Sequence, residues 1–235
     1  LSLQNTVRSA NRGHCIPLCR RSYTVTDNET GTQLEIDNKY IMSPKDLKTI
    51  RFIDRMMKAG VRVFKIEGRA RGPEYVYNVV RCYKEAIQAV ADGTFTDARK
   101  DEWDERLAAV FNRGFWDGYY QGQKLGEWCE VYGSKATEKK VYVGKCMKYF
   151  SKIEVAEFLI ENVDLHVGDK ILITGPTTGA LIQPCEEIRF DLQPAMTATK
   201  GQHVSIKVNE RVRPNDKLYI LEPADRLTQQ TLSGS

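Results

Sequence analysis

The sequence predicts an α/β segment followed by an all-β domain. Two observations carry this. Residues 39–93 read strand, helix, strand, helix, the repeating unit of a parallel α/β fold. From Val141 the apolar period falls to two, with turn residues between short runs, as expected of a small antiparallel β-barrel. The polar stretch 134–140 is the expected linker, dividing residues 1–133 from a β domain over 141–222, with 223–235 a frayed tail.

Taken in order, residues 1–23 are polar and rich in Gly, Asn and Arg, and read as an extended loop. A hairpin is expected over 23–36, turning at Asn28-Glu-Thr-Gly31 between β-branched residues. Residues 39–42 form a short apolar run. Ser43 is a plausible N-cap and Pro44 a first helical residue, followed by Leu47, Ile50, Ile53, Met56 and Met57 at helical spacing up to Gly60. Val61, Val63, Phe64 and Ile66 read as a second strand. Pro73 opens a long helix through Val76, Val79, Val80, Tyr83, Ile87 and Val90, ending at Gly93. Residues 101–110 are amphipathic, and 111–122 form a loop dense in aromatics and glycine. Seven strands are expected at 141–144, 155–160, 170–174, 181–182, 188–192, 203–208 and 217–221. The expected core is Leu47, Ile50, Val63, Ile66, Val76 and Val80 in the first part, and Val143, Val155, Ile171, Ile173, Ile188, Val204 and Ile206 in the second.

The chain has 235 residues and a net charge of +4, from 35 basic and 31 acidic residues. Its basic residues concentrate early: from Arg8 to Lys84 there are 16 Lys/Arg against eight Asp/Glu. That imbalance suits a phosphate-bearing or polyanionic partner; a solvated helix face is the plainer explanation. No window approaches the ~18 apolar residues that span a bilayer, so no membrane partner is expected. Six cysteines without a disulfide-framework spacing point to a reducing cytoplasm. The chain begins without Met, and a fragment or processed product is the expectation.

The sharpest local signal is Asn11-Arg-Gly-His-Cys15-Ile-Pro-Leu-Cys19-Arg-Arg21. Two cysteines four residues apart can reach one metal centre, and the neighbouring Arg12, Arg20 and Arg21 favour their thiolates. Cysteine ligation suits zinc or an iron–sulfur cluster; two free thiols are the alternative. His14 beside Cys15 makes a poor catalytic pair, because neighbours along a strand point to opposite faces. The second signal is Lys65-Ile-Glu67-Gly-Arg69-Ala-Arg71. On a strand, Lys65, Glu67 and Arg69 would share one face, a buried carboxylate between two cations. Arg69 and Arg71 would grip a carboxylate or phosphate beside the helix opening at Pro73. A structural ion network is the alternative. Aromatics interleaved with Arg113 could stack on bases or plug a domain interface.

Together the stretches Ser9-Ala-Asn-Arg-Gly-His-Cys-Ile-Pro-Leu-Cys-Arg-Arg-Ser-Tyr23, Met42-Ser-Pro-Lys-Asp-Leu47, residues 65–77 and Phe111-Asn-Arg-Gly-Phe115 resemble the collagenase-like peptidase family U32. Residues 167–179 look like the second domain of elongation factor Tu. The resemblance implies the last units of a TIM-like barrel followed by a small β-barrel. Despite the family name, it implies an iron–sulfur-dependent hydroxylation factor for tRNA or ribosomal RNA, with a collagenase-like peptidase as the alternative and a β-barrel binding module as a further one. It also implies a 4Fe–4S cluster in the full-length protein, with Cys15 and Cys19 as two of four cysteine ligands and the other two upstream. This piece alone is then expected to lack the cluster and to be inactive. Lys65, Glu67, Arg69 and Arg71 are the candidate site for a small carboxylate or phosphate-bearing substrate. Arg12, Arg20, Arg21 and Arg113 are the candidate RNA contacts.

Overall fold

The structure is a computed structural model that describes residues 21–36, 44–69, 71–123, 127 and 134–224. The expected strand at 39–42, the segment carrying Cys15 and Cys19, and the tail beyond Ala224 lie outside the described residues. The chain divides into two compact units: Leu1–Arg71 with Cys82–Ala136, and Gly72–Arg81 with Thr137–Ser235.

The first described element is the expected hairpin, β1 (Tyr23–Thr26) and β2 (Gln33–Ile36), paired antiparallel with Val25 opposite Leu34. Its turn closes because the Asp27 carboxylate accepts the Glu29 and Thr30 N–H groups, and Gly31 takes φ 72°.

The helix expected from Pro44 begins later. Residues Asp46–Leu47 instead form β3, running parallel to β4 (Phe115–Trp116). The Asp46 and Lys48 N–H groups donate to the Gly114 and Trp116 carbonyls, each at 2.9 Å. Those donors are satisfied across the chain, so the helix is postponed to a 3-10 turn at Ile50–Phe52 leading into α1 (Ile53–Lys58). Ile50 and Ile53 are fully buried, as their spacing demands. The expected strand over Val61–Ile66 is also absent. A strand needs a partner edge, and among the described residues none pairs with this one; Val63 is 84% exposed.

Helix α2 (Pro73–Ala91) opens at Pro73 as read, and Gly93 at φ 69° ends it. Helix α3 (Asp97–Ala109) starts a turn earlier than its amphipathic pattern suggested, because Thr96 caps it by accepting the Arg99 N–H. Trp103 and Leu107 of α3 are buried, and Trp103 Nε1 and Arg106 both donate to the Glu85 carboxylate.

The β unit is an eight-stranded antiparallel sheet. Its members are β5 (Glu138–Phe150), β6 (Val155–Ile160), β8 (Lys170–Gly175), β9 (Gly179–Pro184), β10 (Ile188–Phe190), β11 (Gln193–Ala195), β13 (His203–Lys207) and β14 (Lys217–Pro223). Their order is β11-β10-β13-β6-β5-β14-β8-β9. The pair β7 (Leu165–His166) and β12 (Thr197–Ala198) stands apart. All seven expected strands are present. The expected closed barrel is not: among the described residues β9 pairs only with β8 and β11 only with β10, so the hydrogen-bonded sheet is open. Val143, Ile171, Ile173, Ile188, Val204 and Ile206 are buried as expected, and Val155 is half-buried. Gly144 is obligatory in β5, since a Cβ there would stand 1.9 Å from the Leu159 carbonyl oxygen across the pair with β6.

Candidate functional site

Arg71 organises the first unit. Its Nη2 lies 3.0 and 3.1 Å from the two Asp46 carboxylate oxygens, and its guanidinium sits 4.3 Å over the Phe111 ring. Asp46 Oδ2 also accepts the Arg113 N–H at 3.0 Å. The Phe111-Asn-Arg-Gly-Phe115 stretch is built around these contacts. Buried Asn112 donates from Nδ2 to the Ala108 and Val110 carbonyls, satisfying the end of α3, and its Oδ1 accepts the Gly114 N–H. Gly114 turns at φ 81°, with the stems of Lys45 and Lys135 on either side.

Glu67 differs from its expected placement. It is 55% exposed and lies on no strand. Its Oε1 accepts the backbone N–H of Arg69 at 2.7 Å and Nε at 3.0 Å, and its Oε2 accepts Nη2 at 2.9 Å. The Arg69 side chain and N–H hold the Glu67 carboxyl down at about 2. A contact across two residues closes locally and needs no pleat, so the expected buried alternation of Lys65, Glu67 and Arg69 does not form. Lys65 is exposed and acts on Glu67 through charge alone. Arg71, expected to grip a carboxylate or phosphate-bearing substrate, has a side chain only 11% exposed that is engaged by Asp46.

For Asp46, which holds Arg71 and the Arg113 N–H, the sequence offers one signal, an acid set between Lys45 and Lys48 in a basic stretch.

Of the candidate RNA contacts, Arg21 is exposed beside β1, and Arg12 and Arg20 lie outside the described residues. Arg113 is half-buried, and its Nε is shut from solvent without a hydrogen-bond partner. The aromatics of the same loop divide. Phe115 and Trp116 are half-buried, while Tyr119 and Tyr120 are 61% and 59% exposed.

Cys82, Cys146 and Cys185 are buried. Burial pushes the Cys146 thiol up to about 11 and the Cys185 thiol to about 12, so both stay protonated and poor as ligands. Among the described residues no group of three or more His, Cys, Asp and Glu could hold a metal ion. No helix among the described residues is long and apolar enough to cross a membrane.

A parallel β3–β4 pair, an arginine-clamped loop and an antiparallel sheet thus define a mixed α/β protein. Residues 1–130 match peptidase family U32, and the chain belongs to that family. It is 65% identical to a collagenase of Porphyromonas gingivalis over 93% of this chain and 53% of that one. It is 28% identical to tRNA hydroxylation protein P1 of Bacillus subtilis over 93% of this chain and 53% of that protein. Over 39% of this chain and 14% of the relative, it is 37% identical to the 23S rRNA 5-hydroxycytidine C2501 synthase of Escherichia coli. The chain spans about half the length of the first of these relatives.

Proposed function

We propose that the full-length protein is an iron–sulfur-dependent hydroxylation factor acting on tRNA or ribosomal RNA. The observation that carries this reading is the Cys15/Cys19 pair set among Arg12, Arg20 and Arg21. Relatives named for tRNA and rRNA hydroxylation support it. In this reading Cys15 and Cys19 furnish two thiolate ligands, and the remaining two come from residues outside this chain. A 4Fe–4S cluster supplies one-electron redox chemistry when bound. Neighbouring cations favour thiolates and attract RNA phosphates. Lys65 and Arg69, exposed on their loop, receive a small carboxylate or phosphate-bearing substrate, and the Arg71–Asp46 pair fixes the base of that loop.

A second reading, a collagenase-like peptidase, draws on the 65% identical relative named collagenase. Purification of the full-length protein without oxygen separates the two. The hydroxylation reading expects a brown protein with iron and acid-labile sulfide, lost in Cys15→Ser and Cys19→Ser, and no cleavage of denatured collagen. A colourless, iron-free protein that cleaves collagen would establish the second.

A further inference from the structure

We infer that Tyr119 and Tyr120, with Arg55 beside them, form a stacking surface for single-stranded RNA bases. This rests on the RNA reading above and says where the strand is held. Tyr119 and Tyr120 are both exposed, yet neither is loose. Trp116 meets Tyr119 edge-on at 5.3 Å between ring centroids, and buried Phe52 backs Tyr120 at 6.1 Å. The turn that presents them is fixed at Gly118, which takes φ 65° against Leu47; an added Cβ would stand 2.8 Å from Leu47 Cδ1. Gly122 N–H closes the turn on the Tyr119 carbonyl at 3.2 Å.

Charge selects the occupant. Arg55 of α1 donates from Nη1 to Gln121 Oε1 at 2.8 Å, which ties it to the same turn through a neutral acceptor. Among the described residues no carboxylate pairs with Arg55, whereas Arg51, one turn earlier, is matched by Asp101 and Asp104. Two ordered exposed aromatic residues beside a guanidinium held by a neutral acceptor suit bases and a phosphate, because every base offers a face to stack and every linkage a charge. An apolar protein segment would gain nothing from that cation.

The test uses full-length protein purified without oxygen and a fluorescein-labelled single-stranded RNA of about ten nucleotides, followed by anisotropy. Tyr119→Leu and Tyr120→Leu keep apolar bulk against Trp116 and Phe52 but remove the ring. Each is expected to weaken binding roughly tenfold, while Tyr119→Phe and Tyr120→Phe restore it. Arg55→Gln is expected to reduce the slope of log K against log salt by about 0.7. If the Leu variants bind like wild type, or Phe fails to rescue, the surface is wrong while wild-type RNA binding leaves the hydroxylation reading standing. A wild type that binds no RNA overturns both. Leu variants that lose collagen binding but not RNA binding assign the surface to protein and overturn the inference.

Discussion

Arg71 reaches back 25 residues to place Nη2 3.0 Å from Asp46 Oδ1, with both side chains largely out of solvent. The pair ties the end of the 61–71 loop to β3, and through the Arg113 N–H to the turn before β4. Arg71 is thus a positioning residue. Its replacement leaves a carboxylate with one remaining donor, the situation in which breaking an ion pair is costly. Arg71→Ala is expected to destabilise the protein by about 3 kcal/mol, read by urea unfolding. An unchanged midpoint would mean the pair is solvated and the loop is anchored elsewhere.

Glu67 should behave oppositely, although the sequence suggested it as the buried member. Its partner is two residues away and both side chains are exposed, so the unfolded chain can form the same contact. The lowered carboxyl, near 2, contributes stability above the ordinary value of 4.5 that is lost as pH falls through about 2. Exposure makes that contribution slight. Glu67→Ala is expected to melt with wild type between pH 4 and 7. A clear drop in melting temperature over that range would place Glu67 in a network the described contacts do not show.

The Cys146 and Cys185 thiols yield a prediction at alkaline pH. Unfolded, both ionise near 9; folded, burial delays this to about 11 and 12. Across that window the unfolded chain releases protons that the folded chain retains, so stability falls as pH rises above 9. At pH 8 both cysteines should resist iodoacetamide until urea is added, as mapped by peptide mass spectrometry. Rapid alkylation of the native protein would show that the β core opens.

Gly144 tests the β unit. Gly144→Ala drives a methyl into the Leu159 carbonyl between β5 and β6. Relief requires parting the two strands, and a loss of roughly 3 kcal/mol is expected from differential scanning calorimetry and urea titration. A variant as stable as wild type would mean that β5 bends freely there.

The β unit was readable because alternation decides burial strand by strand: Ile171, Ile173, Val204 and Ile206 face the core. Closure was not readable, because alternation within a strand fixes which face is buried and says nothing of whether the outermost strands, β9 and β11, pair with each other. In α2 the bulky stripe misled. Val76 and Val80 are partly exposed, while Val79, Cys82, Ala86 and Ala89 are buried, so the smaller residues mark the packed face. The paired Arg71 and Asp46 were hidden for another reason: a contact between a loop and a two-residue strand leaves no periodic trace, and only the geometry brings them together.

In the proposed function, Cys15 and Cys19 serve RNA hydroxylation. The most direct measurement is mass spectrometry of nucleosides from tRNA and ribosomal RNA of cells lacking the full-length gene, complemented with wild type or with Cys15→Ser/Cys19→Ser. The expected result is a hydroxylated nucleoside that disappears in the deletion, returns with wild type and stays absent with the double variant. Identical nucleosides in all three strains would contradict the account.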